Sequence, residues 1–299
     1  MRPHLRTRRG FSLVEIITAL TILAIIGGAM TKLILAQTRG YQYDNGGRRS
    51  RTAARSAMNI LITDLRMTQD NGGVSYLDAT NHRRVDVKVP VGIGIVCTVS
   101  GSSLIMALTP VDSFQLASIN FGGYAVRNST TGIYAYVSGG AMTSADVNQC
   151  HGNGVYADTV PINGRTGAVV QVTGTPPVGS ALGSMAMVWQ TVRYSFDSSK
   201  AFPGRAGLYR IVTGSTTADT NELVAPFSWN ARFKYYTTMS RSGGVVDDSP
   251  KTSSPADLNT VRGLQIYLAA EASDTVPGYS GPKKSPLTTA VFFKNTRIQ

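Results

Sequence analysis

The chain has little of the residue types from which active sites and metal sites are usually built. Of its 299 residues, two are cysteine, three are histidine and only 15% are charged. Cys97 and Cys150, with His82 and His151 (His4 lies at the extreme N-terminus), show neither C-x-x-C nor H-x-x-x-H spacing, so no structural zinc site is expected. G-x-S-x-G, the Walker A loop and H-E-x-x-H do not occur. The glycines of Gly92-Ile93-Gly94 and Gly152-Asn153-Gly154 are too ordinary a pattern to signify a phosphate site. Asp247-Asp248, Asp219 and Glu222 lack the ligand spacing of a calcium loop, and a polar turn accounts for them. The expectation is therefore that the protein is not an enzyme and uses no cofactor and no metal.

Negative charge is also scarce. Lys and Arg number 29 against 17 Asp and Glu, a net +12. Four of those positive charges, Arg2, Arg6, Arg8 and Arg9, lie in the first ten residues, which leaves +8 for the remainder. A basic body attracts anionic partners. No dense basic cluster or recognised nucleic-acid module is present, however, so a nucleic-acid partner is the weaker expectation.

What the sequence does have is one long apolar run directly after that basic decapeptide. Ile16–Ala36 is 21 residues, about 31 Å as a helix and so about the thickness of a bilayer core. Lys32 is its single charge, placed where it can snorkel to the headgroups. The leader arginines favour a cytoplasmic N-terminus and a single span. Two ordinary explanations fit poorly. A secretory signal would have a small-residue cleavage site after the run, and Leu33-Ile34-Leu35-Ala36-Gln37 is a poor one. A plain anchor has no reason to carry Glu15 at the start of the apolar segment, where an unpaired carboxylate is costly.

The run Arg8-Arg9-Gly10-Phe11-Ser12-Leu13-Val14-Glu15 resembles the type IV prepilin motif. In that family a membrane aspartic peptidase cuts after the glycine and N-methylates the new first residue. The resemblance implies cleavage between Gly10 and Phe11, methylation of the Phe11 amine, and a filament-assembly role for Glu15, paired with that amine on a neighbouring subunit. It implies as partners the prepilin peptidase, other major and minor pilins and the inner-membrane assembly platform. The implied location is the bacterial inner membrane, with the head extracytoplasmic, and later a pilus or pseudopilus. Residues 8–70 also resemble minor subunits of the PilW and GspJ type, through Met58-Asn59-Ile60-Leu61-Ile62-Thr63-Asp64-Leu65-Arg66, with weaker likeness at Leu208-Tyr209-Arg210 and Val261–Ile266. Those are structural subunits that prime or cap a filament. An adhesin or DNA-uptake pilin is the alternative, favoured by an exposed basic and aromatic stripe.

Four regions follow: a leader over 1–10, a membrane and filament-core helix over 11–39, an amphipathic continuation over 40–73, and a β-rich head over 74–299. Gly46-Gly47 is expected to bend or interrupt the helix. Beyond it, Ala54, Ala57, Met58, Leu61 and Leu65 share one helical face, and Asp70-Asn71-Gly72-Gly73 is a stop signal. After Gly73 the period changes from 3.6 to 2. Strands are predicted over Val85–Val91, Ile93–Val99, Leu104–Leu108, Ile133–Val137, Val169–Val172, Met185–Phe196, Leu208–Val212, Ala231–Thr237, Leu264–Ala269 and Ala290–Lys294. The predicted fold class is α+β: a long, hydrophobic, pilin-like N-terminal helix packed on a large antiparallel sheet domain. In an exported chain, Cys97 and Cys150 are expected to form a disulfide. The alternative is two free thiols, with His151 activating Cys150.

Overall fold

The computed structural model describes residues 12–69, 71–113, 119–159, 161, 164–214, 221–237, 241–242, 245–246 and 249–293. The first described element is a single 55-residue helix, α1 (Leu13–Met67), about 80 Å long at 1.5 Å per residue. The predicted interruption at Gly46-Gly47 does not occur. Both glycines lie inside the helix because the head domain approaches there. A Cβ on Gly46 would sit 2.9 Å from Ala272 Cβ, and one on Gly47 would sit 3.1 Å from Lys283 Cγ. The pair costs helix propensity and gains close contact, which is the second use of a glycine.

Only the second half of α1 is covered. Gly47, Ser50, Ala54, Ala57, Met58, Leu61 and Leu65 are buried, a stripe at 3.6-residue spacing that contains the whole predicted apolar face. The helix stops at Met67, where Thr68 is extended and its N–H bonds Leu65 O. Asn71 and Gly72 follow with φ of 58° and 106° and turn the chain back, as the Asn-Gly signal suggested.

The head is an antiparallel sheet. In chain order it comprises β1 (Val74–Leu77), β2 (Arg84–Val99), β3 (Ser103–Leu108), the short helix α2 (Pro110–Ser113), β4 (Gly123–Arg127), β5 (Tyr134–Ser138), β6 (Met142–Ser144) and α3 (Asn148–His151). It continues with β7 (Ala168–Thr173), β8 (Met185–Ser198), β9 (Ala206–Val212), β10 (Asn221–Phe227), β11 (Arg232–Thr237), β12 (Arg241–Ser242), β13 (Val245–Val246), β14 (Val261–Glu271) and β15 (Lys284–Phe292). The strand order is β11-β14-β10-β9-β8-β2-β3-β7-β6. β15 joins β14, β1 joins β2, and β4 carries β5 beside β8; β12 and β13 form a separate ribbon.

Two predicted strands, Val85–Val91 and Ile93–Val99, are one bent strand, β2. Its register against β8 shifts between Pro90 and Gly92, and Gly94 lies so close to β3 that a Cβ would approach Ala107 O at 2.6 Å. The bulge bends the strand without ending it. β2 therefore serves two cores. Val85, Val87 and Val89 join the layer under α1, with Tyr194, Phe196, Leu208, Phe233 and Leu264. Val96 joins a second layer with Leu104, Met106, Tyr124, Val172 and Val188. β1, β4, β6 and β10 lie outside the predicted strands, and β15 starts at Lys284, six residues before the predicted Ala290.

Candidate functional site

Among the described residues, none covers the first half of α1. Leu13, Leu23, Ile25 and Met30 are between 58% and 75% exposed, and within this helix the most apolar 18-residue window has none of its residues buried. By length and composition the segment is able to cross a membrane. Four of its threonine hydroxyls are satisfied within the helix. Thr18, Thr21, Thr31 and Thr38 each donate a hydroxyl to the carbonyl four residues back, at 2.8–3.1 Å. Such back-bonding lets threonine lie in hydrocarbon without an orphan donor.

Of the predicted processing residues, Gly10 and Phe11 lie outside the described residues. Glu15 is in the first turn of α1. Its backbone N–H bonds Ser12 O at 3.0 Å, and its side chain is exposed. An acid at a helix N-terminus is favoured by the helix dipole, but the dipole does not balance a full charge placed in an apolar layer. The structure thus presents a carboxylate at the tip of an uncovered apolar rod.

The other half of the site is the seat that ties this rod to the head. Near its lower end the Ser50 hydroxyl donates to Ser285 Oγ of β15 at 2.7 Å. At its upper end Asp64 accepts from the Tyr194 hydroxyl at 2.5 Å and from Arg210 Nε at 3.0 Å, with Arg210 Nη2 also at 3.0 Å. Burial, then the neighbouring Asp64 charge, raise the Tyr194 pKa well above the ordinary phenol. Burial alone would lower Arg210, and Asp64 and Tyr194 reverse it to a net rise. The phenol therefore stays neutral and the guanidinium charged, and both hold Asp64. Sequence reasoning noted Asp64 only as part of a resemblance. The signal was its position, in register with Ala57 and Leu61 on the buried stripe.

Cys97 and Cys150 are bonded to each other, with a Cα–Cα distance of 4.7 Å. They pin α3 and its loop against the bent upper part of β2. The same contact carries Asn153 Nδ2 to Cys97 O at 3.1 Å and Thr98 Oγ1 to Gln149 O at 3.3 Å. His151 meets Asp158, not Cys150, at 3.1 Å. The bond lies in the upper part of the head, in a small core distinct from the layer under α1. Among the described residues no group of three or more His, Cys, Asp or Glu is placed to hold a metal ion.

Basic and aromatic side chains do meet on the sheet face away from α1, but their charge is largely used internally. Arg84 lies over the Tyr76 ring at 4.1 Å. It shares Asp86 with Arg193, at 2.7 and 3.1 Å. Lys88 lies over Tyr136 and Trp189, and Trp189 is 2% exposed. This is a packed surface, unlike the open stacking platform that single strands require.

Comparison with known families gave one match: residues 5–31 fit the model of the prokaryotic N-terminal methylation motif. That motif supports a type IV pilin-like protein, and the match covers Gly10, Phe11, Glu15 and most of the apolar run. No curated protein and no solved structure matched the chain.

Proposed function

We propose that the protein is a minor pilin or pseudopilin, a structural subunit of a type IV pilus or type II secretion filament. The prepilin peptidase cuts between Gly10 and Phe11 and methylates the Phe11 amine. The assembly platform then transfers the subunit from the bilayer into the filament, beside other major and minor pilins. The observation that carries this reading is the uncovered apolar half of α1 with Glu15 at its tip, inside the segment that matches the methylation motif.

The physical logic is one of exchange. In the bilayer, lipid covers the rod; in the filament, neighbouring rods cover it. The Glu15 carboxylate and a cleaved Phe11 amine neutralise each other across two subunits, and either one left alone is the expensive state. The large head and the PilW-like and GspJ-like stretch around Asp64 favour a priming or capping place over bulk polymer. Glu15→Ala tests the assembly step. The variant is expected to be cleaved and inserted normally and to be depleted at least about tenfold from sheared filaments, the equivalent of about 1.4 kcal/mol. Recovery at the wild-type level would remove Glu15 from the docking contact.

A further inference from the structure

The turn between β14 and β15, residues 272–283, meets α1 just beyond the apolar run. Arg39, Tyr43 and Gly47 follow Ala36 by three, seven and eleven residues, so they stand about 5, 10 and 16 Å above the end of that run. The headgroup layer occupies roughly the first 5–7 Å of this distance, which puts Arg39 inside it and the turn's contacts with Tyr43 just beyond it, within side-chain reach. Two contacts build the surface, and Arg39 lies beside it. A side chain at Gly278 would touch Arg39 Nη1, 3.8 Å away. The Tyr279 ring stacks on Tyr43 with centroids 4.0 Å apart and planes 8° apart. Lys283 Nζ stands 4.2 Å from the Tyr43 ring centre.

The charges here are unevenly matched. Glu271 is shared by Arg205 at 3.9 Å and Lys284 at 3.6 Å. Asp274 accepts from the Ser273 hydroxyl, and Asp44 is exposed on α1. No described carboxylate forms an ion pair with Arg39 or Lys283. Beside them opens a cleft of about 670 Å³ lined by Tyr43, Arg205, Tyr279, Lys283 and Lys284. Tyr279 remains 42% exposed although it is stacked. A cation in the headgroup layer, with aromatic rings and a second cation lacking a carboxylate partner just above it, is the combination that recognises an anionic membrane surface.

We infer that this turn, with Arg39 and Tyr43, is a collar that binds anionic phospholipid headgroups and seats the head on the bilayer before assembly. The inference rests on the reading of α1 as a membrane span. Extraction into a filament then requires the collar to release lipid as well as the rod to leave it, so membrane composition tunes the readiness of the subunit.

The test uses the full chain in nanodiscs of phosphatidylcholine alone or with about a third phosphatidylglycerol, with acylation of individual lysines followed by peptide mass spectrometry. Lys234, on β11, is the reference. Lys283 is expected to react about fivefold more slowly in the anionic discs, the effect of one basic group at such a surface, with Lys234 unchanged. Arg39→Gln and Tyr279→Ser, both at exposed side chains, should shrink that difference. Equal Lys283 rates in the two discs, with the chain inserted, would overturn the collar and leave the anchor intact. Equal slowing of Lys283 and Lys234 would overturn it as general surface attraction. Slowing by inorganic phosphate in detergent alone would overturn the lipid assignment in favour of a small-anion site. Failure of the chain to enter discs would overturn the anchor and the collar together.

Discussion

Asp64→Ala should detach the helix from the sheet at its upper end. The variant removes the acceptor of the Tyr194 hydroxyl and of Arg210 Nε, at 2.5 and 3.0 Å. It leaves a guanidinium and a phenol over an apolar layer. Breaking one side of a buried ion pair costs roughly 3–5 kcal/mol. The Arg210 side chain keeps 29% exposure and Asp64 15%, so water recovers part of the loss and the low end applies, about 3 kcal/mol. Urea unfolding of the full chain in detergent, followed by tryptophan fluorescence, measures it. With a slope of about 2–3 kcal/mol per molar, the midpoint should fall by about 1 M or more. The companion variant Asp64→Leu with Arg210→Met removes both charges and should recover at least half of the loss. A single-variant loss below about 1 kcal/mol, the range of an exposed pair, would refute the reasoning. A double variant no better than the single one would do the same.

Three further outcomes follow from other parts of the molecule. Burial lowers the Lys88 pKa from its ordinary 10.5; the unfolded chain therefore binds the proton more tightly, and stability should rise with pH from the folded value up to about 10.5. Lys88→Met should flatten that alkaline rise in urea midpoints measured across the same pH range, and an unchanged slope would contradict the assignment. Replacing both Cys97 and Cys150 by serine should destabilise the head by about 2–4 kcal/mol, given a sequence separation of 53 and a chain-entropy ceiling near 4 kcal/mol; the same urea titration reads it, and a cost below about 1 kcal/mol would show that the Asn153 and Thr98 contacts alone hold the loop. Leu61→Ala, at a fully buried position of the helix seat, should cost about 2–5 kcal/mol, and a loss under about 1 kcal/mol would mean that α1 is not packed there.

The N-terminal rod was legible because its signals are local and redundant: a basic decapeptide, an apolar run of bilayer length and an acid out of place at Glu15. The helix seat was legible from the spacing of Ala54, Ala57, Met58, Leu61 and Leu65, since 3.6-residue periodicity survives whatever sheet lies beneath. Gly46-Gly47 misled because helix propensity is a weak prior that a tertiary contact overrides; nothing local announces that Ala272 and Lys283 arrive there. β4 and β10 escaped for a similar reason. Gly123-Tyr124-Ala125-Val126-Arg127 has too few alternations, and Pro226 argues against a strand, yet neighbours across the sheet complete both. Asp64 entered the sequence reading only within the PilW-like and GspJ-like stretch, and its partners Tyr194 and Arg210 lie 130 and 146 residues away, beyond the reach of any local pattern.

The central claim is that this chain is cut after Gly10 and methylated at Phe11 before it functions. Intact-mass measurement of protein extracted from membranes with an active prepilin peptidase tests it most directly, with Gly10→Val beside the wild type. The account predicts a wild-type species that begins at Phe11 and carries one added methyl group, and a Gly10→Val species that retains Met1 or the unprocessed leader. A wild-type mass that includes residues 1–10 in those membranes would contradict it.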